Sequence, residues 1–368
     1  MASPDIIDLA RLLAPITEEL PTGTDVRQDP SPTSNYQTIK TARAAARAAE
    51  RNSIHDGDTT EADEHWRKIL ALAPEILSKQ SKNLEIASWF TEALIRRHGF
   101  QGLRDGFRLI EGLIENFWED IFPLPDEEDG METRVSSLSG LNGGDGDGVL
   151  IAPIRKVQIT EGQDPGPFSF WQYHLALNVQ RTADEDARIS KSDKLGFSIE
   201  DIERAVSESS EAFFVDLIDD ISIAIDSYKR IDQLLEQHCG EDAPSTRRII
   251  ETLEECRGAA THIGKQKLPV PIEEDPIVAG EESSAPTQAH APAAVANVIN
   301  SREAAFKQLT EIAEFFRKTE PHSPVSYVLE KAVKWGHMPL DELIIELIPE
   351  ASSRTHFSQL TGVQSNED

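Results

Sequence analysis

Cysteine is scarce in this sequence, and its scarcity excludes two ways of stabilising a fold. Only two cysteines occur among 368 residues, Cys239 and Cys256. Neither has partners at the spacing that a zinc site requires, and a disulfide framework needs more bridges than one pair can form. The sequence therefore predicts two half-buried thiols within helices, in a chain that suits a reducing compartment.

Positive charge is the second shortage. The chain has 36 lysines and arginines against 65 aspartates and glutamates, which gives a formal net charge of −29 at pH 7. A surface this negative repels phosphate backbones and anionic lipid headgroups. We therefore expect no nucleic-acid partner.

Long apolar runs are absent as well. No stretch approaches the roughly 18 apolar residues of a membrane-spanning helix. The opening stretch MASPDIIDLARLLAPI has no basic residue before Arg11 and no long apolar core, so it does not have the pattern of a signal peptide. We therefore expect a cytoplasmic protein that does not insert into membranes.

Motifs of well-known enzyme classes are also missing. The sequence has no GxSxG, HExxH or paired CxxC. The segment 258–265 has the wrong glycine spacing for a phosphate-binding loop, and Gln266 replaces the hydroxyl residue that would bind magnesium. The Gly-Asp stretch at Asp145 lacks the glycine position and the glutamate of a calcium loop. We expect neither a cofactor nor a bound metal.

One polar cluster contains the residue types of a hydrolase, namely Thr319, Glu320, His322 and Ser323. Ser323 precedes a proline and an apolar stripe, which is the pattern of an N-cap followed by proline in the first helical turn. Pro321 ends the preceding helix. We interpret the cluster as a boundary between helices, because no third group orients the imidazole. The chain is thus predicted not to be an enzyme; a hydrolase assembled from distant residues is the alternative.

Helical periodicity is what the sequence has in abundance, and the predicted fold class is mainly α. Most segments repeat apolar residues three and four positions apart, with glycine or proline where helices should end, as at Gly99. Ser198 and Asp201 have the spacing of a capping box. The exception is 149–159, whose β-branched residues after a Gly-Asp loop favour a strand.

Composition divides the chain into four regions. Residues 1–160 and 165–265 are predicted to form two helical domains. Residues 268–296 are rich in Pro, Ala and Glu and have no hydrophobic period, which is typical of a flexible linker. Residues 297–368 are predicted to form a small helical module. Its helices are predicted at 301–317, 324–335 and 339–348, with a fourth near 352–360.

The C-terminal module has more apolar surface than so small a core can bury. The apolar side chains in question are Phe315, Phe316, Trp335, Leu340, Leu343, Ile344 and Leu347. A module of this kind commonly completes its burial by self-association, so these residues are predicted to form an oligomer interface. Trp335 and Leu347 are expected to contribute most. The alternative is that both belong to the core of the module, where truncation would unfold it.

A basic stripe interrupts the acidic sequence within an alanine-rich helix. Lys40, Arg43, Arg47 and Arg51 are three or four residues apart and therefore lie on one helical face. The stripe could dock an acidic partner, and Arg43, Arg47 and Arg51 are the candidate partner-binding residues. The alternative is a solvated helix face that balances acidic surroundings.

Several segments of the first part of the chain are similar to one known family. They are PTGTDVR (21–27), NLEIASWFTEAL (83–94), GLRDGFRLIEGLIENFWEDIFPLPDEEDG (102–130) and the arginine and LNG that follow. These segments resemble the ImpA amino-terminal domain, which marks TssA proteins of the bacterial type VI secretion system. The resemblance covers roughly the first 155 residues. The C-terminal segment 301–348 is similar to the terminal module of the shorter TssA proteins.

The resemblance implies a non-enzymatic, cytoplasmic assembly component. Such proteins form multimeric rings through their C-terminal domains, and they contact baseplate, tube, sheath and membrane-complex proteins while the contractile apparatus is built. Family members serve either the baseplate or the distal end of the sheath, and the short C-terminal module favours the baseplate. The alternative is a helical adapter or regulatory protein that binds a single partner without forming rings.

Overall fold

The computed structural model contains two compact units, Met1–Glu274 and Asp275–Asp368. It describes residues 2–52, 58–144, 146–162, 164–268, 302–319 and 324–338, together with residues 343, 346 and 347. Within these residues the regular elements are helices, and β pairing is limited to isolated bridges. The prediction of a mainly α fold is confirmed.

The first unit has eleven α-helices among its described residues. They are α1 (Leu9–Leu13), α2 (Asn35–Asn52), α3 (Thr60–Lys79), α4 (Leu84–Phe117), α5 (Met131–Asn142), α6 (Ile151–Lys156), α7 (Phe170–Gln180), α8 (Glu185–Leu195), α9 (Ile199–Glu208), α10 (Glu211–Cys239) and α11 (Arg247–Ile263). Two short 3-10 helices, Val26–Gln28 and Gly240–Asp242, lie between them. None of the described helices is both long and apolar enough to cross a membrane.

The predicted strand at 149–159 is wrong, because this segment contains helix α6. Ile151 and Ile154 are both buried and lie three residues apart, so they point to one side of a helical turn. A strand would place them on opposite faces. Packing against the core therefore overrides the β propensity of the branched side chains, which depends strongly on context.

Helix α4 forms the centre of the first unit, with α3 packed on it and α10 packed along it. Helix α2 packs on α3 and reaches α4 through side-chain contacts. The rings of Phe107 in α4 and Tyr228 in α10 lie 4.5 Å apart between centroids. The segments predicted as separate domains, 1–160 and 165–265, both contribute to one hydrophobic cluster. The first unit therefore has one continuous core.

Helix α4 changes direction at Gly99, where the sequence predicts a helix to end. Gly99 has φ +56° and ψ −139°, a conformation that a residue with a Cβ rarely adopts. A Cβ atom at this position would lie 3.0 Å from Cγ1 of Val157. Glycine thus allows α4 to bend while the chain after α6 packs closely against it.

The N-terminal segment is fixed to α4 and α10 by a buried network around Arg104, which is 1% exposed. Its Nη1 donates to Asp220 Oδ1 at 2.7 Å and to the carbonyl of Ser3 at 2.6 Å, and its Nε donates to Asp105 Oδ1 at 2.8 Å. Asp105 also accepts the backbone N–H of Ile6, and Asp220 accepts that of Ser3. Three distant parts of the chain therefore share one set of buried charges.

We predict that Arg104→Met destabilises the protein by about 3–5 kcal/mol, because the carboxylate of Asp220 would remain buried without its cation and Asp105 would keep only the more distant Arg108, at 3.8 Å. Arg108→Met is the matched control. Arg108 also pairs with an aspartate, Asp5, at 2.7 Å, but its side chain is 36% exposed, so its loss should cost at most about 1 kcal/mol. Urea unfolding followed by circular dichroism measures both. Equal losses in the two variants would contradict the role of the network.

Lys82 is a buried cation that holds the end of α3 and the N-terminal segment together. Its Nζ donates to the carbonyl of Leu12 at 2.6 Å and to that of Leu77 at 2.7 Å. Burial of the ammonium group lowers the pKa of Lys82 to about 8. The folded protein therefore releases this proton more readily than the unfolded chain.

The pKa of Lys82 leads to a prediction for stability at alkaline pH. Between pH 8 and the unfolded pKa near about 10.4, the unfolded chain binds more protons than the folded protein, so the free energy of unfolding rises with pH. The contribution is at most about 1.4 kcal/mol per pH unit. Lys82→Met lacks this titrating group. The free energy of unfolding of the wild type, relative to that of the variant, should therefore rise over this pH range. Urea titrations at several pH values measure this difference, and a constant difference would refute the prediction.

The second unit contains two described helices, α12 (Arg302–Thr319) and α13 (Val325–His337), which pack against each other. They agree with two of the predicted helices, at 301–317 and 324–335. Arg317 Nη2 in α12 donates to Glu330 Oε2 in α13 at 2.6 Å. The other predictions for this region, namely the linker after Leu268 and the helices at 339–348 and 352–360, lie wholly or mostly outside the described residues.

Candidate functional site

A cleft of about 1180 Å³ opens in the first unit between α2, α3, the bend of α4, α6 and the start of α10. Its cationic lining residues are Arg47, Arg51, Arg96, Arg97 and Lys156. Its apolar lining includes Trp66, Ile95, Phe100, Val157, Phe213 and Leu217. In a chain with a net charge of −29, this is a local concentration of positive charge beside apolar surface.

Arg43, the first of the predicted partner-binding arginines, has a partner inside the fold. Its Nη2 lies 2.5 Å from Oε1 of Glu92 in α4, whose side chain is fully buried. The guanidinium group also lies 5.4 Å from the centroid of the Trp89 ring. Arg43 therefore holds α2 against α4, and it does not line the cleft.

Arg47 and Arg51, the other two predicted residues, follow at intervals of one helical turn and line the cleft. Among the described residues, neither has a hydrogen-bond or ion-pair partner. Burial lowers the pKa of half-buried Arg47, and the carboxylate of Glu92 partly opposes this effect. The guanidinium groups of Arg43, Arg96 and Arg51 lower the pKa further. Glu92 therefore offsets only part of the free-energy cost of burying the charged guanidinium group of Arg47.

Arg96 is fixed in one orientation by residues from two other helices. Its Nε and Nη2 donate to the two carboxylate oxygens of Glu50 at 2.5 and 3.1 Å. The guanidinium group lies 4.2 Å from the centroid of the Trp66 ring, and the indole N–H of Trp66 also donates to Glu50 at 2.8 Å. The sequence does not predict this cluster of Glu50, Trp66 and Arg96, because no local spacing connects residues on three separate helices.

The bend of α4 positions two more basic side chains at the cleft. Arg97 and His98 are the last residues before Gly99, and both are exposed. Partial desolvation of the imidazole, followed by the charge of Arg97, lowers the pKa of His98. Lys156 joins them from the end of α6. The basic side chains that line the cleft therefore come from α2, α4 and α6.

The chemistry of the cleft suits binding of anionic groups. Arginines bind carboxylates and phosphates through charge-assisted hydrogen bonds. Within the part of the chain that the structure describes, no group of three or more His, Cys, Asp or Glu residues could hold a metal ion. Of the polar cluster considered as a hydrolase site, Glu320, His322 and Ser323 lie outside the described residues.

The two cysteines lie within helices α10 and α11, as predicted. Cys239 is half-buried and Cys256 is fully buried. Burial raises the pKa of both thiols. Neither is therefore an activated nucleophile, since a reactive thiol requires a lowered pKa.

The second unit has a different surface, formed by apolar side chains on α12 and α13. Of the predicted interface residues, Phe315 and Leu347 are exposed, Phe316, Trp335 and Leu343 are partly exposed, and Leu340 and Ile344 lie outside the described residues. Further exposed apolar residues, not among the predicted ones, are Ile312, Tyr327 and Val328. Periodicity identified the apolar helices but not which of their residues face outwards.

Comparison with known proteins gives concordant results. Residues 13–143 match the family described as ImpA, N-terminal, type VI secretion system. The chain is 24% identical over 366 residues to type VI secretion system component TssA1 of Pseudomonas aeruginosa, covering 98% of this chain and 100% of that protein.

A solved structure is similar to the first unit. It is the N-terminal domain, including the conserved ImpA_N region, of the TssA component of the type VI secretion system from Burkholderia cenocepacia. The TM-score is 0.59 and the identity 26%, with 73% of this chain and 98% of that chain covered. The family match also spans the segments 21–27, 83–94 and 102–130 that carry the resemblance in the sequence. Residues 13–143 thus form the ImpA amino-terminal region, and the three comparisons together support a TssA protein of the type VI secretion system.

Proposed function

We propose that this protein is a structural assembly component that forms a multimeric ring through its second unit and presents its first unit to other secretion-system proteins. The observation that carries the proposal is the similarity to TssA1 over nearly the full length of both chains. Because the similarity covers both units of this chain, we propose a role that involves both of them.

The exposed apolar surface of the second unit supports self-association. Val328 is 63% exposed and Leu347 is 51% exposed, and Ile312 and Tyr327 are also exposed on the same unit. Burial of apolar surface contributes about 25 cal/mol per Å², so covering these side chains by another subunit would be favourable. An interface between different faces of identical subunits generates a ring when the rotation closes.

The partners proposed for the first unit are baseplate, tube, sheath and membrane-complex proteins, encountered in the cytoplasm. A ring that carries several copies of this unit would combine weak single contacts through effective concentration. We favour the baseplate role over the distal end of the sheath, because the segment 301–348 resembles the terminal module of the shorter TssA proteins. No catalytic role is proposed, because the cleft contains binding groups without an activated nucleophile among its described residues.

The main alternative is an adapter that binds one partner without forming rings. Negative-stain imaging of the full-length protein distinguishes the two, since a ring has several copies arranged around an axis. Co-purification from a cell that contains the secretion system tests the assignment to that machine. A monomeric particle that still captures secretion-system proteins would favour the adapter.

We predict that Val328→Asp combined with Leu347→Asp reduces the size of the assembly while leaving the chain helical. Each aspartate would have to lose its hydration to enter an apolar interface, which is unfavourable. Light scattering measures the particle mass, and circular dichroism measures the helix content.

Ala313→Asp is the matched control for this experiment, because Ala313 lies on α12 and is fully buried. Its aspartate should unfold the pair of helices, so helix content and assembly should fall together. If the surface variant loses helix to the same extent, the side chains of Val328 and Leu347 belong to the core of the module. An unchanged mass for the surface variant would contradict the proposed interface.

A further inference from the structure

The cleft of the first unit contains cations that have no ion-pair partner within the part of the chain that the structure describes. Arg96 is paired with Glu50, as described above. The cationic lining residues without a hydrogen-bond or ion-pair partner among the described residues are Arg47, Arg51, Arg97 and Lys156. An exposed lysine or arginine without a partner is ordinary, but half-buried Arg47 has lost part of its hydration. The site would therefore gain from an anionic ligand.

Most carboxylates that line the same cleft are already engaged. The lining carboxylates with a partner are Glu50, Asp147, Glu161, Asp216 and Asp220. Asp220 is held by Arg104, and Glu161 accepts both the N–H and the O–H of Ser210. Asp63 is the one lining carboxylate without a partner among the described residues. Counting only described residues, the cleft lining thus has four unpaired cations and one unpaired carboxylate.

The apolar part of the lining lies beside these cations. Val157 is in contact distance of the bend at Gly99, which directly follows Arg97 and His98. Val157 and Phe213 are both partly exposed, so each retains apolar surface that a ligand can cover. A ligand that fits this cleft has negative groups next to an apolar side chain.

We propose that the cleft binds an acidic segment of a partner protein, with carboxylates on Arg47 and Arg51 and an apolar side chain against Val157 and Phe213. The two arginines are four residues apart on α2, which is about 6 Å along the helix axis. Carboxylates one helical turn apart in the segment therefore match them. The inference rests on the proposed partner-binding role of the first unit, and it names the chemistry of the contact.

Electrostatics favour a short acidic segment over other anionic occupants. A nucleic acid would approach as a large, highly negative body and be repelled by the net charge of −29. The Debye length is about 8 Å at physiological ionic strength, so a short segment within the cleft responds chiefly to the adjacent arginines. Carboxylates on arginine also form strong, directional, charge-assisted hydrogen bonds.

The test uses the purified full-length protein and two synthetic peptides labelled with fluorescein. One has the sequence ELEEFEEL, and the control, QLQQFQQL, has the same shape without charge. Fluorescence anisotropy measures the affinity of each. We expect the glutamate peptide to bind and the glutamine peptide to bind at least about tenfold more weakly, since the glutamine side chains cannot form charge-assisted hydrogen bonds of the same strength with the arginines. Raising the salt concentration should weaken the binding of the glutamate peptide only.

Two matched variants locate the contact. Arg51→Glu should lower the affinity for the glutamate peptide at least about tenfold, and Arg47→Gln should also lower this affinity. Lys40→Glu changes the charge by the same amount as Arg51→Glu, on the same helix and also at an exposed position, but outside the cleft. It should leave the affinity within about twofold, because its charge is screened from the ligand.

Several results would overturn the inference. These are absence of peptide binding, equal binding of the two peptides, and an equal effect of Lys40→Glu. Displacement of the peptide by millimolar inorganic phosphate would indicate a site for small anions instead. Binding that appears only after Glu273, Glu274 and Asp275 are changed to their amides would identify the chain's own acidic stretch as the occupant. Light scattering of the same variants reports assembly independently, so the ring proposal can fail or survive separately.

Discussion

A single buried guanidinium group joins three parts of the first unit that are far apart in the chain. Arg104 lies on α4, and its partners are Asp105 beside it, Asp220 on α10 and the carbonyl of Ser3 near the N-terminus. Charges removed from water are tolerated only when they are paired. The N-terminal segment and α10 therefore cannot leave α4 without exposing unpaired charge to an apolar interior. Ser3 and Asp220 also line the cleft, so the network fixes one of its walls.

Buried polar residues in the segments that resemble the ImpA domain also bind helices outside that domain. Arg104 belongs to GLRDGF, and its partner Asp220 lies beyond the matched residues 13–143. Asn142, in LNG, is fully buried and accepts the backbone N–H of Ile249 at the start of α11 at 3.0 Å. These two polar residues thus connect the ImpA region to α10 and α11. The sequence predicts a domain boundary near residue 160, but buried polar contacts continue across it.

The sequence predicted features that depend on local spacing and missed those that depend on distant partners. The capping box at Ser198 and Asp201 is present, with both reciprocal hydrogen bonds. The basic stripe lies on one face of α2. Spacing alone could not separate Arg43, which forms an ion pair with Glu92 from α4, from Arg47, which forms no ion pair within the described residues. The cleft was missed for the same reason, since its lining comes from five helices. The chemistry of each residue was visible in the sequence, whereas its neighbours were not.

The two candidate surfaces differ in the physical force on which they depend, and this difference has a consequence for assembly. Contacts through Arg47 and Arg51 are electrostatic, so they form quickly and weaken as ionic strength rises. Contacts through the apolar side chains of α12 and α13, such as Val328, depend on removal of surface from water and are strengthened by excluded salts. A change in conditions that releases a partner from the first unit would therefore leave the proposed self-association intact. The proposed scaffold could exchange partners while remaining assembled only if its two surfaces were independent in this way.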